Sequence, residues 1–197
     1  ALPQDVDKVM YEFGYPMGPF AVADLAGNDI GWEGRKRRYA ANPDARKLPI
    51  PDTICEMGRF GQKTRAGWFD YKEGDRTPYP SEVVEKIISD YREEAGITSK
   101  SFTDEEILRR ILFSSINEIC KILDEGIAYK ATDADVMWLN GFGFPRYRGG
   151  VMFWADQIGV KAVYEQISAW HDELGDRWAP SPYLKKLADQ GKSFTGD

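Results

Sequence analysis

The side chains that could carry chemistry are few and widely separated. His171 is the only histidine, and it stands beside Asp172 and Glu173 in a helix-forming stretch. A lone helical histidine with acidic neighbours is typical of a surface residue, and no carboxylate pair stands out as an alternative acid and base. No serine occupies the Gly-x-Ser-x-Gly turn of a hydrolase. We therefore predict no catalytic residue in this chain.

The cysteines do not suggest a metal site. Cys55 and Cys120 are far apart and the one histidine is distant from both, which matches no zinc spacing. Each cysteine lies in a predicted helix, so we expect buried free thiols, which favour a reducing compartment.

Two glycine-containing stretches resemble phosphate-binding loops without completing the pattern. In Gly58–Thr64, Gln62 separates the second glycine from the lysine, whereas a P-loop requires them to be adjacent. Near Gly141 and Gly143, Arg146 occupies the place of the third glycine of a dinucleotide motif, and no strand precedes it. We predict that this chain binds no nucleotide cofactor.

Composition excludes several classes of partner. The net charge of the 197 residues is -6, and the basic residues are interspersed with carboxylates, so no broad surface for nucleic acid is expected. The basic run 35–38 is either a solvated helix face or a site for an anionic ligand or partner. No apolar run approaches the about 18 residues of a membrane span.

The apolar periodicity predicts helices almost throughout. The strongest is a long amphipathic helix from residue 103 to 126, which begins with a capping-box pattern. Asn28 and Asp29 are expected to cap another helix that ends near Asn42. Residues 58–71 are predicted to form a loop followed by a short extended piece. The fold class is therefore all-α.

One sequence pattern occurs twice. Residues 14–27 and 143–159 both read glycine, aromatic, proline, a glycine-containing bend, an apolar run, and then Ala-Asp-x-x-Gly. Similar lead-ins precede them at residues 5–10 and 133–138. Such a repeat predicts two related helical units that pack against each other. We place them at residues 1–96 and 97–197, with the first expected to lack an N-terminal helix.

These motifs resemble the C-terminal domain of 3-hydroxyacyl-CoA dehydrogenase. The resemblance rests on residues 14–24, 58–64 and 67–71, and on residues 143–150 of the second repeat. The duplication is similar to the paired C-terminal domains of the multifunctional fatty-acid β-oxidation enzymes, which also carry an enoyl-CoA hydratase. The resemblance implies two tandem units of the 6-phosphogluconate-dehydrogenase C-terminal-like type, packed as a pseudo-dimer.

The resemblance implies how the work is divided in the parent enzyme. The parent would oxidise 3-hydroxyacyl-CoA to 3-ketoacyl-CoA with NAD held by a Rossmann domain, which is absent from this sequence. The family places a substrate-polarising asparagine at the start of the long helix. Arg109 falls at that position in the second unit, and Asn117 lies two turns further on and does not replace it. The second unit is therefore expected to be structural, and the fragment alone inactive.

The first repeat supplies the candidate pocket residues. Pro16, Met17, Gly18, Pro19 and Phe20 are expected to close over the acyl-CoA, since a rigid turn can bring backbone close to the acyl chain and Phe20 can cover it. The alternative is that this turn only fixes helix packing.

The insertion in the second repeat has two possible roles. Tyr147, with Arg146 and Arg148, could bind an acidic group or could anchor the two units together, and we favour the anchor. A non-enzymatic helical interaction or dimerisation module is the alternative function, and homo-oligomers are possible. The last four residues are not a peroxisomal address, which predicts the cytoplasm of a bacterium.

Overall fold

The computed structural model describes residues 1–196, and this range forms ten α-helices. They are α1 Pro3–Phe13, α2 Pro19–Ala26, α3 Asn28–Ala41, α4 Pro49–Glu56, α5 Glu82–Glu94, α6 Asp104–Asp124, α7 Ala131–Gly141, α8 Val151–Ile158, α9 Val160–Leu174 and α10 Pro182–Gln190. Short 3₁₀ turns occur at Gln62–Thr64, Arg146–Arg148 and Asp176–Trp178. The predicted all-α fold class is confirmed. None of the helices within residues 1–196 is long and apolar enough to cross a bilayer.

Glycine and proline set the boundaries of the helices, as the sequence indicates. Pro19 occupies the first turn of α2, where its missing N–H costs nothing. Gly27 ends α2 with a φ of 101° and donates its N–H to the Ala23 carbonyl. The expected cap by Asn28 and Asp29 is wrong, because α3 already begins at Asn28 and Gly27 is its N-cap. The Asn28 amide instead donates to the Asp24 carboxylate at 2.7 Å.

The predicted extended piece is present as a compact loop. Isolated antiparallel bridges join Gly61 to Ala66, Ala66 to Asp70, and Asp70 to Tyr79. Between residues 1 and 196 the backbone pairs as strands only in such isolated bridges. The chain therefore reverses direction three times within residues 61–79, which makes this segment compact.

The structure divides the chain into two compact units. Unit 1 comprises residues 1–12 and 17–104, and unit 2 comprises residues 13–16 and 105–197. This division differs from the predicted boundary at residue 96, because Ile97 lines a cleft of unit 1 and Asp104 lies 3.8 Å from Lys8. Phe13–Pro16 also belongs to unit 2, although residues 14–16 are the start of the first sequence repeat.

Each unit has its own apolar core. In unit 1, Ile54 of α4 packs with Val84 and Ile88 of α5. In unit 2, the long helix α6 presents Leu112 and Phe113, which are fully buried. These residues follow the three- and four-residue spacing that predicts this helix. That the units are two copies of one domain, packed as a pseudo-dimer, stays a prediction.

Candidate functional site

Asp7 of α1 caps the N-terminus of α2. Its carboxylate accepts hydrogen bonds from the backbone N–H groups of Phe20, at 2.9 Å, and Ala21, at 2.8 Å. Burial raises the pKa of Asp7, and the two backbone donors act in the opposite direction. A Cβ atom on Gly18 would overlap the Asp7 side chain, so the bend requires glycine there. The turn of the first repeat is thus closed by one half-buried carboxylate.

Asp135 of α7 does the same for α8 in the second repeat. It accepts hydrogen bonds from the N–H groups of Met152, at 2.7 Å, and Phe153, at 3.2 Å. Burial raises its pKa as well. A Cβ atom on Gly150 would overlap the Asp135 side chain. The aspartates of the two lead-ins therefore have one structural role, which the sequence pattern contained but did not explain.

The aspartate of the first Ala-Asp-x-x-Gly motif organises the loop that follows α4. The buried Asp24 carboxylate accepts from the backbone N–H groups of Trp68 (2.8 Å) and Phe69 (2.9 Å). It also accepts from the Tyr71 hydroxyl (3.0 Å) and the Asn28 amide. Four donors on one carboxylate fix the path of the loop that carries Trp68.

The matching aspartate of the second repeat also holds a later segment. Asp156 accepts from the N–H groups of Phe194 (2.7 Å) and Thr195 (2.9 Å), and from the Thr195 hydroxyl (2.6 Å). Phe194 is buried. In each repeat the aspartate of the motif therefore binds a later segment of the chain to the helix that carries the motif, α2 in the first repeat and α8 in the second.

An apolar cleft of about 320 Å³ in unit 1 is the candidate functional site. It is formed by the ends of α1, α2, α4 and α5 together with the loop that Asp24 organises. Phe20 and Trp68 lie on its wall with ring centroids 4.6 Å apart. Ile88 and Tyr91 also line it, and among the described lining residues Arg92 alone has a cationic side chain. A cleft of this size and composition suits a flexible apolar chain.

The second unit places a different residue at the corresponding point. Phe20 and Met152 each donate the first backbone N–H to the capping aspartate of their repeat. Phe20 is half-buried and lines the cleft, whereas Met152 is fully buried in the core. The matching positions of the two repeats therefore have different surroundings.

The predicted pocket residues do not share one environment. Of the turn 16–20, only Phe20 lines the cleft. Met17 packs partly buried against the cluster of Ala21, Phe69 and Tyr71. Gly18 makes room for Asp7, Pro19 begins α2, and Pro16 is exposed in unit 2. Pocket closure by the whole turn stays a prediction.

The basic insertion contacts Phe13, in the short segment 13–16 that belongs to unit 2. The Tyr147 hydroxyl and Arg148 Nε both donate to the Phe13 carbonyl, at 3.0 and 2.9 Å. The Arg148 guanidinium also lies 4.0 Å from the centre of the Phe13 ring. Arg146 instead donates to the Asn140 side chain at 2.9 Å. Anchoring of the two units by this insertion stays a prediction.

The remaining candidates show no catalytic arrangement. His171 Nε2 lies 3.4 Å from the exposed Asp176 carboxylate. Burial raises the pKa of the Cys55 and Cys120 thiols, which disfavours the reactive thiolate. Across residues 1–196, no group of three histidine, cysteine or carboxylate side chains could hold a metal ion.

The hydrogen-bonding roles of two buried polar residues, Arg59 and Asn117, were not predicted from the sequence. Arg59 donates to the Gly67 carbonyl (3.0 Å), the Asp70 carboxylate (2.7 Å) and the Ser81 hydroxyl (2.8 Å). Nothing in the sequence around Arg59 distinguishes it from a surface arginine.

Asn117 is the second buried polar residue whose role was not predicted. Its amide donates to the Ala179 carbonyl at 2.9 Å, and its carbonyl accepts from the Ser181 N–H at 2.8 Å. The signal here was its position on the apolar face of α6.

The fold and the site define an all-helical domain whose repeated turns are closed by aspartate carboxylates. The family model of the 3-hydroxyacyl-CoA dehydrogenase C-terminal domain matches residues 1–71 and 107–195. The chain belongs to this family.

Two similar enzymes extend the comparison. The peroxisomal bifunctional enzyme of Danio rerio is 42% identical over 97% of this chain, and that of Homo sapiens is 43% identical over 96%. The chain spans 29% and 28% of their lengths. A crystal structure of the dehydrogenase part of multifunctional enzyme 1 from C. elegans has the same fold, with a TM-score of 0.71 and 24% identity. The match covers 94% of this chain and 42% of that one.

These relatives overturn the predicted localisation. The similar enzymes are named peroxisomal, so the preference for a bacterial cytoplasm is wrong. That preference rested on the last four residues alone. A targeting address is read by a receptor and leaves no trace in the fold.

Proposed function

We propose that this chain is the helical part of an NAD-dependent 3-hydroxyacyl-CoA dehydrogenase of peroxisomal fatty-acid β-oxidation. Family membership and the names of the similar enzymes support this function. The observation that carries a specific role is the apolar cleft with Phe20 and Trp68 on its wall. In this proposal the cleft holds part of the acyl chain, while a Rossmann domain of the parent enzyme supplies the chemistry.

The two repeated glycine turns do not fit the pyrophosphate of a dinucleotide. A dinucleotide loop needs a strand, a glycine turn and a helix whose N–H groups face the phosphates. In the repeated turns, the side chains of Asp7 and Asp135 occupy the space beside Gly18 and Gly150. Their carboxylates would repel a phosphate. Hydride transfer is therefore assigned to no residue of this chain.

The cleft also explains how the fold could assist catalysis without a catalytic group. Asp7 fixes the start of α2, and with it the backbone of Phe20. Asp24 fixes the backbone of Trp68. The two rings that line the cleft are thus held by separate carboxylates, that of the half-buried Asp7 and that of the buried Asp24, which orders the binding surface before the ligand arrives.

Replacing Phe20 with alanine should weaken the binding of long acyl chains. Loss of the half-buried ring removes apolar contact from one wall of the cleft, and we expect KM to rise about tenfold for long substrates in the parent enzyme. Short substrates that do not reach the ring should be unaffected. The measurement is kcat and KM for 3-hydroxyacyl-CoA substrates of increasing length, followed by NADH formation.

Phe153→Ala provides the matched control for Phe20→Ala. Phe153 lies in the first turn of α8 with 45% of its surface exposed, and it lines no described cleft. It should leave the chain-length profile unchanged. If Phe20→Ala also leaves the profile unchanged, the turn has only a packing role.

The alternative of a helical interaction module has one observation in its favour. Helix α3 buries no side chain completely, and Ile30 on α3 is 69% exposed, near the exposed Val22 and Leu25 of α2 in sequence. An acetoacetyl-CoA assay separates the two functions. If the parent enzyme does not oxidise NADH with this substrate, the dehydrogenase proposal is contradicted and the interaction module is favoured.

A further inference from the structure

A second cleft in unit 1 is polar and bordered by cations. It has a volume of about 520 Å³ and lies where the loop between the 3₁₀ turn at Gln62–Thr64 and residue 76 folds back. The charged residues on its wall are Lys63, Arg65, Lys72, Glu73, Asp75 and Arg76. Four positive charges thus face two negative ones, in a chain whose net charge is -6.

The carboxylates offset these cations only in part. Asp75 accepts hydrogen bonds from the Thr77 N–H and the Tyr79 hydroxyl, both at 2.8 Å, which ties it to its own turn. Glu73 pairs with Arg65 at 3.1 Å, but the two side chains are 83% and 61% exposed. Solvent-exposed pairs of this kind contribute little to stability and separate readily.

Arg65 has an unusual backbone conformation for its residue type. Its φ of 57° is left-handed, and it is the one non-glycine residue with a positive φ between residues 1 and 196. A side chain at such a position costs about 1–2 kcal/mol relative to the right-handed conformation, whereas glycine is accommodated freely. Since the exposed pair with Glu73 contributes little, stability does not explain an arginine here.

The polar cleft adjoins the loop that forms the apolar cleft. Trp68 lines the apolar cleft, and Tyr71 and Lys72 line the polar one. The carboxylate of Asp24 holds Trp68 and Tyr71 together. A ligand with an apolar chain at one end and phosphates at the other would find both chemistries on this loop.

We propose that the polar cleft binds the phosphate groups of coenzyme A, with Arg65 and Arg76 as the principal contacts. The identity of the ligand rests on the proposed function, whereas the preference for phosphate rests on the charges of the cleft. Arginine suits this role because its planar fork matches the geometry of phosphate oxygens. Lys63 contributes less, because it already pairs with Asp29.

The test is direct binding to the 197-residue chain, measured by isothermal titration calorimetry. The probes are coenzyme A, adenosine 3′,5′-bisphosphate and inorganic phosphate. We expect the first two to bind, to weaken as salt rises, and to lose about tenfold in affinity in Arg65→Gly and in Arg76→Ala. Arg65→Gly should at the same time keep or raise Tm, because it relieves the left-handed backbone. Weaker binding without loss of Tm is a result that a structural role for Arg65 would not give.

Lys86→Ala is the control, since Lys86 is also an exposed cation of unit 1 paired with a carboxylate, that of Asp90. It should leave binding unchanged. No binding of either organic probe at millimolar concentration, or equal losses in Lys86→Ala and Arg65→Gly, would overturn the proposal. Equal affinity for inorganic phosphate and for the bisphosphate would overturn the assignment to coenzyme A. Because binding needs no turnover, these outcomes are separate from those of the dehydrogenase assay.

Discussion

Asp24→Ala should destabilise unit 1 by about 4 kcal/mol, since the substitution leaves several hydrogen-bond donors without an acceptor at once. The carboxylate is 1% exposed and accepts four hydrogen bonds, two of them from backbone N–H groups. Alanine leaves Trp68, Phe69 and Tyr71 without an acceptor and opens space where the carboxylate lay. The loop should then lose its fixed path even where the rest of the unit stays folded.

Hydrogen exchange measures the effect of Asp24→Ala locally. The amides of Trp68 and Phe69 should lose protection before those of α5, and urea unfolding should show the loss in total stability. Asp90→Ala is the control, because the Asp90 side chain is 50% exposed and pairs with Lys86 on the same helix. Its cost should stay within about 0.5 kcal/mol. Similar costs for the two variants would show that Asp24 does not organise the loop.

Gly150→Ala should have the next largest effect, about 3 kcal/mol, for two independent reasons. The φ of Gly150 is 122°, a conformation that side chains rarely adopt. A Cβ atom there would also overlap the Asp135 carboxylate that caps α8. The variant must therefore strain the backbone or displace the cap, and thermal unfolding should show the cost as a lower Tm.

Gly34→Ala is the matched control for Gly150→Ala. Gly34 lies inside α3, and a Cβ atom there would meet nothing within 4 Å. Alanine should stabilise this exposed helix position by about 0.5–1 kcal/mol. The two glycine substitutions should thus move Tm in opposite directions. A loss of Tm in both would contradict the explanation given for Gly150.

Local signals in the sequence were sufficient to predict the helices. The apolar spacing along residues 107–123 predicts α6, and Pro19 and Gly27 bound α2 because each acts on its own backbone. Asn28 was misjudged as a cap since its side chain has a better partner in Asp24, one turn earlier. Capping the helix and bonding to Asp24 are alternative interactions for the Asn28 side chain. Both partners can be read from the sequence, but the sequence does not show which interaction is the more favourable.

The sequence pattern did not predict contacts between residues that are far apart in the chain. The repeat showed that Asp7 and Asp135 occupy matching places, but not that each bonds to two backbone amides beyond the bend. The apolar cleft is formed by the ends of four helices, so no single segment carries its signature. Arg65 reads as an ordinary loop residue until its φ is known.

The path of the chain through residues 13–16 limits how the protein can be divided. The Phe13 ring lies edge-on to Phe144 and Trp154 at 5.7 and 5.4 Å, and Tyr15 packs against Phe144 at 5.8 Å. A gene truncated to start at residue 105 would therefore encode unit 2 with a vacancy in its aromatic core. No single peptide-bond cleavage separates the two units cleanly. A split version of this protein should depend on its missing tetrapeptide, supplied in trans, for the last part of its core.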